Sequence, residues 1–505
     1  MSLVRGVDAF LFDVGGTLVE EAAPGTPLAA LEAHLLPGVL ETLRRVGRHH
    51  RVAAVTNTAT MREPDVRRLL APVGLDGLLE VLVTSVDAGA AKPDPAPLLL
   101  AAERLGVAPG RCVYVGDLAA DRAAAEAAGM GFVATDRGVA DAVERLGHGR
   151  SGAFADACAR VAPVDGEAES QARARLDRLT KPAGSLGMLE ELGVRLSGIA
   201  GACPPPSPES AAVAVFAGDH GVVDAGVTPW PQEVTAQMVA NFAAGGAAIN
   251  VIARNVGATV HVVDVGVSAD VSRLDGVLHR KVRPGTADLF RGPAMTVAEA
   301  RAALDVGAVV ARELVQDGCR LLVTGEMGIG NTTPAAALIA ALTATPAWMV
   351  TGRGTGIADE MLAWKVEVVE RGARRTDGWL DPISALSEIG GLEIAALAGF
   401  VVGGAAARVP VLIDGVITAA ALLVADALVP GVASRCVAGH LSTEPGAAHA
   451  LGFLGERPLL DLGMRLGEGT GGCLAVPVVQ AAAAVLREMA TFDQAAIDAS
   501  PGGAG

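Results

Sequence analysis

The sequence predicts an α/β protein of two domains, each built around a parallel sheet. Short apolar runs with the length of buried strands alternate with helical patterns along most of the chain. The chain has 505 residues, which is more than one hydrophobic core normally serves. The alternation weakens after Gly138, and residues 148–169 are rich in Gly, Ala and acidic side chains. These observations indicate a domain boundary in that segment.

In the first region, strands and helices follow one another in the doubly wound order. Strands are predicted over residues 9–12, 52–55, 81–84, 112–115 and 132–134, and helices over 27–46, 63–70, 95–105 and 119–128. We interpret residues 1–150 as the first domain and residues 151–170 as a linker.

The second domain, residues 171–505, continues the alternation. It begins with a helix predicted over 172–179, and strands follow over 211–216, 261–265, 321–324, 411–413 and 434–438. Residues 349–352 fit a weaker strand or a turn.

Composition excludes several classes of function. Hydrophobic residues make up 51% of the chain and charged residues 19%, which is typical of a packed globular protein. Aromatic residues are only 3% and the formal net charge is −16, so we expect neither a base-stacking platform nor a basic face for nucleic acid. A small anionic substrate remains compatible, because local dipoles at a site can outweigh the global charge.

The six cysteines are scattered, without a CxxC or other metal-ligand spacing. We therefore expect reduced thiols in a cytoplasmic protein. The opening residues lack the apolar run of a signal peptide, since Arg5 and Asp8 interrupt it. The longest uncharged stretch, residues 331–352, contains two prolines, so no membrane span is predicted.

One glycine-rich turn, GEMGIGNTT over residues 325–333, has the pattern of an anion site. The apolar run 321–323 predicts a buried strand, and Thr332, Thr333 and the alanine-rich stretch after them predict a helix start. Free backbone N–H groups at a helix N-terminus hold an anion without many basic side chains. No Lys follows the last glycine, so a triphosphate with Mg²⁺ is not the expected ligand. The alternative is a plain tight turn and helix cap.

A second turn, LGEGTGG over residues 466–472, has Glu468 between two glycines. A carboxylate among glycines and apolar neighbours is partly desolvated, which raises its pKa and makes it a proton acceptor near neutral pH. The alternative is a solvated loop glutamate, the usual environment of this residue. The local sequence alone leaves both interpretations open.

Polar residues follow successive predicted strands of the first domain. Asp13 ends the first strand, in the motif FDVGGTLV, and Thr56 ends the next strand, in AVTNT. Lys92 lies in the motif AKPDP, and Asp117 is the second residue of the motif GDLAAD. The carboxyl ends of parallel strands share one rim of a sheet, so these side chains should converge there. This set of motifs resembles the haloacid dehalogenase-like hydrolases.

The resemblance implies a Rossmann-like fold without a large cap, in which Asp13 is the nucleophile that forms an aspartyl-phosphate. Thr56 and Lys92 would hold phosphate, while Asp13, Asp117 and the carbonyl of Gly15 would bind Mg²⁺. Phosphatases of this family usually carry a second aspartate, as general acid and base, where this chain has Gly15. Its loss typically costs 10²- to 10⁴-fold in rate, so a retired phosphatase competes with an active one.

The second domain contains a longer series of motifs. They are LDRLTKPAGSLGMLEEL, FAGDHGV, PQEVTAQMVANFAAGGAAIN, GEMGIGNTTPAAAL, LIDGVITAAAL, HLSTEPGAAHAL and LDLGMRLGEGTGG. This series resembles the nicotinate-nucleotide:dimethylbenzimidazole phosphoribosyltransferases, which make α-ribazole phosphate for the lower ligand of cobalamin. The resemblance implies a parallel-sheet α/β domain with a small helical subdomain, and a homodimer.

The same resemblance implies that Glu468 removes a proton from dimethylbenzimidazole, so that its nitrogen attacks C1′ of nicotinate mononucleotide and nicotinate leaves. Glu326 would steady positive charge developing on the ribose, and Leu466 would wall the benzimidazole slot. Several residues would hold the 5′-phosphate: Gly325, Gly328, Gly330, Asn331, Thr332, Lys365, Ser442 and Thr443. No metal or other cofactor is implied for this transfer, because the pyridinium leaves with its electron pair.

Three further residues are candidates for substrate contacts. Asp219 and His220 follow a predicted strand in AGDHG, a position typical of a ligand rim, and Gln232 is a candidate donor in the base slot. The alternatives are a structural turn at Asp219 and His220 and, for Lys365, a solvated face of its helix.

The two domains together suggest a fusion in which the first removes phosphate from the α-ribazole 5′-phosphate made by the second. The rival hypothesis is a non-catalytic interaction module, motivated by Gly15. For the whole chain, a nucleotide-binding sensor would bind nicotinate mononucleotide without releasing nicotinate, and the carboxylate at Glu468 argues against it.

Overall fold

The computed structural model describes residues 7–20, 31–48, 50–135, 138–139, 143, 152–354, 356–376 and 381–497. The chain divides into two compact units, Met1–Ser151 and Gly152–Gly505. Each unit has its own parallel sheet flanked by helices, which confirms the predicted fold class.

The sheet of the first unit has five parallel strands in the order β3-β2-β1-β4-β5. They are β1 (Ala9–Phe12), β2 (Arg51–Thr56), β3 (Val81–Thr84), β4 (Cys112–Gly116) and β5 (Gly131–Ala134). Because β1 lies between β2 and β4, the strand order reverses beside it, and the carboxyl ends of β1 and β4 form a crevice suited to a ligand.

Both faces of this sheet are covered. The helices are α1 (Val39–Gly47), α2 (Glu63–Leu70), α3 (Ser85–Ala88), α4 (Ala96–Leu105) and α5 (Ala119–Ala127). Side chains of β1 alternate between two apolar clusters, with Phe10 and Phe12 in one and Ala9 and Leu11 in the other. A strand buried on both faces needs the continuous apolar run seen in the sequence.

The helix predicted over residues 27–46 is shorter in the structure. Residues 27–30 lie outside the described part of the chain, and α1 begins only at Val39. Leu35 instead bridges Val19 in an antiparallel contact, and Gly38 has a φ of 76° directly before the helix. The left-handed backbone at Gly38 ends the extended segment and sets the helix start.

The sheet of the second unit has six parallel strands in the order β11-β10-β9-β6-β7-β8. They are β6 (Ala211–Gly218), β7 (Thr259–Gly266), β8 (Val277–His279), β9 (Leu321–Met327), β10 (Val411–Ile413) and β11 (Cys436–Ala438). Strands β7 and β8 lie on one side of β6, whereas β9, β10 and β11 lie on its other side. The strand order therefore reverses between β6 and β9, where open α/β sheets bind ligands.

Helices cover both faces of this sheet as well. They are α6 (Ala153–Cys158), α7 (Gly166–Leu176), α8 (Met188–Ala200), α9 (Glu233–Ala243), α10 (Ala248–Val256), α11 (Val297–Gln316), α12 (Thr332–Thr343), α13 (Ala347–Val350), α14 (Asp359–Arg374), α15 (Pro382–Ile389), α16 (Leu392–Ala406), α17 (Val416–Leu428), α18 (Pro445–Phe453), α19 (Thr470–Leu474), α20 (Val476–Glu488) and α21 (Phe492–Ala495). Helices α7, α8 and α20 share a separate apolar cluster containing Leu176, Val194 and Leu486. This cluster is the predicted small helical subdomain.

Three further segments differ from the sequence-based interpretation. The helix predicted over 172–179 is α7, which spans Gly166–Leu176 and therefore begins within the interpreted linker. Residues 153–158 of the interpreted linker form α6, whose Ala157 is buried in the second unit's core, and Asp305 accepts a hydrogen bond from the Phe154 N–H at 2.8 Å. Residues 349–352 do not form a strand, because α13 ends at Val350 and a loop follows.

Two helical stretches are long and apolar enough to cross a bilayer on length and composition alone, Glu233–Val256 and Thr470–Glu488. The first contains α9 and α10, and the second contains α19 and α20. Buried core helices pass the same test, and side chains from both stretches lie in the apolar core of the second unit. The finding is therefore weak evidence for a membrane span.

Helices α11 and α16 approach each other closely enough to require glycine on both. A Cβ added at Gly307 would overlap the carbonyl oxygen of Ala396, and one added at Gly399 would overlap that of Leu304. Both obstacles are backbone atoms, which cannot rotate away as a side chain can.

Gly307→Ala should therefore lower the free energy of unfolding by about 3 kcal/mol, because one methyl group forces two buried helices apart. The matched control is Gly452→Ala in α18, where an added Cβ meets no atom within 4 Å. That change should stabilise slightly, by about 0.5 kcal/mol. Urea unfolding of both variants measures the contrast, and equal effects would contradict the close helix approach.

Candidate active site

A cavity of about 380 Å³ lies at the carboxyl ends of the second unit's strands, where the strand order reverses. Loops that follow β6, β9, β10 and β11 surround it. Its lining residues are drawn from, but do not fill, the segments 227–238, 326–332, 353–365, 415–417, 442–444 and 465–468.

The first glycine-rich turn forms one wall of the cavity. Strand β9 ends at Met327 and α12 begins at Thr332, which confirms the predicted strand, turn and helix. Gly330 has a φ of 87°, a conformation that favours glycine. Thr235 fixes the turn from behind, since its Oγ1 accepts a hydrogen bond from the Ile329 N–H at 3.1 Å. The N-terminus of α12 therefore opens into the cavity.

The second glycine-rich turn has three consecutive residues in left-handed backbone. Gly467 has a φ of 82°, Glu468 a φ of 64° and Gly469 a φ of 89°. Glycine adopts this region freely, but a residue with a Cβ pays roughly 1–2 kcal/mol. The strain lies at Glu468, the residue singled out from the sequence.

Asp414, at the end of β10, holds this turn in place. Its two carboxylate oxygens accept hydrogen bonds from the N–H groups of Gly469 at 3.2 Å and Gly472 at 2.8 Å. The Glu468 carboxylate itself accepts a hydrogen bond from the Ile249 N–H, in the first turn of α10, at 3.3 Å. Hydrogen bonds to Asp414 and to the first turn of α10 therefore hold the strained backbone of residues 467–469 in place.

The two glycine-rich turns pack directly against each other. A Cβ at Gly325 would lie 2.6 Å from the Glu468 carbonyl oxygen, and one at Gly467 would overlap the Glu326 carboxylate. Asn331 donates its side-chain N–H to the same carboxylate of Glu326. Glu326 and Glu468 consequently line one cavity, next to the α12 N-terminus.

Burial raises the pKa of three carboxyl groups here. The pKa of Glu326 rises to about 8, through burial first and then the negative charges of Asp414 and Glu393. Burial also raises the pKa of Asp414 to about 7, although the N–H groups of the 469–472 turn oppose it. The pKa of Glu468 rises for the same reason, opposed by the Ile249 N–H. Such a carboxylate is a stronger proton acceptor than an exposed one.

One end of the cavity is cationic. Lys365 is buried and its Nζ donates to Thr332 Oγ1 at 2.7 Å and to the Gly352 carbonyl at 3.1 Å. Burial lowers the pKa of Lys365 to about 8, against the opposing charge of Glu444. Arg353, Arg465 and Ser442 also line the cavity. This end combines positive charge with a helix N-terminus, as an anionic group requires.

Apolar side chains line another part of the cavity. Val234 and Met238 contribute from α9, and Trp230 and Leu466 stand at the mouth with exposed fractions of 48% and 56%. A flat heteroaromatic ring would bury apolar area between such side chains.

Five sequence candidates lie outside the described lining: Asp219, His220, Gln232, Gly325 and Thr443. Asp219 accepts a hydrogen bond from the Ser268 N–H at 2.7 Å. His220 is fully buried, with its Nε2 2.9 Å from Glu393 Oε1, beneath the turn at Gly328. Gly325 supports the cavity as backbone, Gln232 precedes α9, and Thr443 is exposed.

Sequence reasoning missed several residues of the site. Asp414 follows β10 in LIDG as Asp13 follows β1, so the strand-end rule would have found it. Trp230, Arg353 and Arg465 lie in irregular loops, where the sequence has no period that identifies a ligand contact.

In the first unit, Lys92 connects the predicted site residues. Its Nζ lies 2.5 Å from Asp13, 2.6 Å from Asp121 and 2.7 Å from the Tyr114 hydroxyl. Asn57 fixes the Lys92 backbone through hydrogen bonds of 2.9 and 3.1 Å. Burial raises the pKa of Asp13 to about 6, while Lys92 opposes the shift.

A metal ion fits the same crevice. Carboxylate oxygens of Asp13, Asp117 and Asp121 all lie within 4.8 Å of one another. Asp117 also accepts a hydrogen bond from Thr17 at 3.2 Å and lies against the backbone of Gly16. Hard oxygen donors of this kind suit Mg²⁺. Asp121, the third carboxylate of this group, was not among the predicted metal ligands. Thr56 is buried and ends the adjacent strand β2.

A family model described as phosphoribosyltransferase matches residues 161–497. The nicotinate-nucleotide–dimethylbenzimidazole phosphoribosyltransferase of Salinispora tropica is 54% identical over 354 residues, covering 67% of this chain and 97% of that protein. The chain belongs to this phosphoribosyltransferase family. The relative of the same name from Geobacter sulfurreducens is 52% identical over 343 residues, covering 68% of this chain and 97% of that protein.

A solved structure supports the same family assignment. The crystal structure of the nicotinate-nucleotide–dimethylbenzimidazole phosphoribosyltransferase from Thermus thermophilus has a TM-score of 0.64 and 47% identity. It covers 66% of this chain and all of that chain. A second family model, described as haloacid dehalogenase-like hydrolase, matches residues 25–129 and begins after Asp13. The first unit thus has the haloacid dehalogenase-like fold, and the second unit is the phosphoribosyltransferase.

The left-handed backbone at Glu468 predicts an unusual order of stability. Glu468→Gly and Glu468→Ala both lose the carboxylate and its hydrogen bond from Ile249, so they differ only in the cost of φ near 64°. Glu468→Gly should be more stable to urea than Glu468→Ala by about 1 kcal/mol. Equal stability, or a more stable Ala variant, would contradict the observed turn.

Proposed function

We propose that residues 171–505 transfer the phosphoribosyl group of nicotinate mononucleotide to 5,6-dimethylbenzimidazole, giving α-ribazole 5′-phosphate and nicotinate. One observation carries the proposal: a single cavity is lined by buried carboxylates, by the α12 N-terminus with Lys365 beside it, and by apolar side chains. Relatives about half identical over two thirds of this chain are nicotinate-nucleotide–dimethylbenzimidazole phosphoribosyltransferases, which supports the same pair of substrates.

The phosphate end positions the donor. We assign the 5′-phosphate to the α12 N-terminus, the side chains of Asn331 and Thr332, the Lys365 ammonium and Ser442. Lys365 and Thr332 are already 2.7 Å apart, so a phosphate oxygen can replace that contact with one to each. Such anchoring fixes the ribose and holds C1′ near the two glycine-rich turns.

At the other end, Glu468 accepts the proton of the benzimidazole N–H, while the ring's second nitrogen attacks C1′. Nicotinate leaves with the electron pair of its glycosidic bond, and attack from the opposite face converts the β-nucleotide into the α-product. Glu326 steadies the positive charge that develops on the ribose. The developing positive charge favours the ionised form of Glu326, and so do the hydrogen bonds that Glu326 accepts from Asn331 and from the Glu468 backbone.

For the first unit, residues 1–150, we propose phosphoryl chemistry at Asp13 with Mg²⁺ held by Asp13, Asp117 and Gly15, and phosphate by Thr56 and Lys92. The fusion favours α-ribazole 5′-phosphate as substrate. The alternative is a retired interaction module, favoured by Gly15. Residues 151–170 would act as the connection, although they contain α6 and the first residues of α7.

We also infer a cytoplasmic homodimer, as the family resemblance implies. The six cysteines form no disulfide, which suits a reducing compartment.

Purified protein given nicotinate mononucleotide, dimethylbenzimidazole and Mg²⁺ should release nicotinate and form α-ribazole 5′-phosphate. Glu468→Gln keeps the size of the side chain but removes the base, so turnover should fall by about 10²- to 10⁴-fold. Chromatography with mass detection measures both products, and ribazole without its phosphate would indicate an active first unit. Wild-type turnover in Glu468→Gln would contradict the assigned base.

Lys365 should give the nucleotide KM a pH dependence. Because its pKa is lowered to about 8, the ammonium is charged below that pH and neutral above it. The KM for nicotinate mononucleotide should therefore rise above pH 8, by up to about tenfold per pH unit. Lys365→Arg stays charged over this range and should remove the rise, even if its KM is higher throughout. An unchanged wild-type KM between pH 7 and about 9.5 would contradict the role of the ammonium.

A further inference from the structure

Among the described residues of the first unit, the position two residues after the nucleophile has no carboxyl side chain that could give a proton to a leaving oxygen. Among the described residues, Lys92 is the side chain that hydrogen-bonds and ion-pairs with Asp13. Its ammonium nitrogen lies 2.5 Å from Asp13, 2.6 Å from Asp121 and 2.7 Å from the Tyr114 hydroxyl, so these three partners occupy its hydrogen-bonding capacity. Gly15, the position two residues after the nucleophile, has no side chain.

The missing proton affects phosphoryl donors unequally. When an Asp13 oxygen attacks phosphorus, the bond from phosphorus to the leaving oxygen breaks, and that oxygen keeps the electron pair. An alkoxide from an ordinary phosphate ester needs a proton as it leaves, whereas a carboxylate from an acyl phosphate does not. Esters therefore lose the full benefit of general acid catalysis, and acyl phosphates lose little.

Release of the phosphoryl group meets the same deficit. Hydrolysis of an aspartyl-phosphate needs a water molecule that loses a proton as it attacks, and the same missing side chain would serve as its base. Transfer of a phosphoryl group from a reactive donor to Asp13 is then faster than hydrolysis of the aspartyl-phosphate that it forms.

We propose that Asp13 is a phosphorylation site that takes a phosphoryl group from acyl phosphates and keeps it as a long-lived aspartyl-phosphate. With acetyl phosphate, the Asp13 carboxylate forms the new bond to phosphorus, acetate leaves with the electrons of the broken bond, and no proton changes place. Lys92 offsets the negative charge that builds up on the transferred group. The proposal rests on the haloacid dehalogenase-like assignment of the first unit and is independent of the transferase site.

The carboxylates around Asp13 fit the magnesium ion that such a transfer uses. Bound Mg²⁺ would supply positive charge next to the phosphoryl oxygens. Asp117 and Asp121 remain with Asp13 for this role, as their oxygens lie within 4.8 Å. The ion and the Lys92 ammonium lower the barrier to attack by offsetting negative charge, which helps every class of phosphoryl donor.

The test follows covalent mass. The full-length chain is incubated with Mg²⁺ and, in separate samples, acetyl phosphate, p-nitrophenyl phosphate and α-ribazole 5′-phosphate. With acetyl phosphate, intact-protein mass spectrometry should detect one added phosphoryl group, mapped to the peptide containing Asp13. The modification should remain after the donor is removed, and Asp13→Asn, which has nearly the same shape, should abolish it.

Gly15→Asp is the matched gain-of-function control, since it adds only the absent carboxyl group. It should shorten the life of the aspartyl-phosphate by about 10²- to 10⁴-fold and accelerate phosphate release from α-ribazole 5′-phosphate by a similar factor. Wild-type rates should fall steeply from acyl to aryl to alkyl donors, and the variant's rates should fall less.

Two results would overturn the inference. One is a wild-type chain that acetyl phosphate leaves unmodified while Gly15→Asp hydrolyses p-nitrophenyl phosphate, in which case the hydrolase-like assignment survives. The other is wild-type phosphate release from α-ribazole 5′-phosphate as fast as from acetyl phosphate. If neither wild type nor Gly15→Asp reacts with any donor, the phosphoryl chemistry proposed for the first unit fails as well.

Discussion

The direct contact between the two glycine-rich turns is the constraint on which the transferase site depends. Gly325 leaves room for the Glu468 carbonyl, and Gly467 leaves room for the Glu326 carboxylate. A side chain at either glycine would force the two turns apart. Asp414 acts on both turns. Its carboxylate accepts a hydrogen bond from the Gly469 N–H of the second turn, and its negative charge raises the pKa of Glu326 in the first. Packing and electrostatics at this site are therefore set by the same few atoms.

Sequence pattern was sufficient where one chain segment determines its own structure, and where residues follow neighbouring strands of a parallel sheet. The apolar run, the glycines and the threonines of residues 321–333 predicted a strand, turn and helix that the structure contains. The strand-end rule likewise predicted that Asp13, Lys92 and Asp117 come together, and Lys92 lies 2.5 Å from Asp13. In both cases, the backbone geometry of a parallel sheet leaves few alternatives.

The rest depended on contacts between distant segments. His220 was expected at the ligand rim, but Glu393 at the start of α16 draws its ring beneath the turn. Arg465 reaches the cavity because loops far apart in sequence meet there, and its guanidinium donates to the Gly354 carbonyl at 2.8 Å. The linker interpretation of residues 151–170 missed α6, because its short apolar face is defined only by the α11 and α16 surfaces that cover it. The hydrophobic periodicity of a single segment does not indicate which distant segments will contact it.

The left-handed conformation of Glu468 has a consequence for engineering this chain. Most positions with this backbone are occupied by glycine, and a search for heat-resistant variants that scores folding alone would favour glycine here too. Such a campaign would improve the scaffold while discarding the proposed proton acceptor. Left-handed backbone alone does not mark such a residue, because Ser210, Ala344, Arg408 and Ala496 also have positive φ outside the cavity; at Glu468 it coincides with a buried carboxylate that lines the cavity.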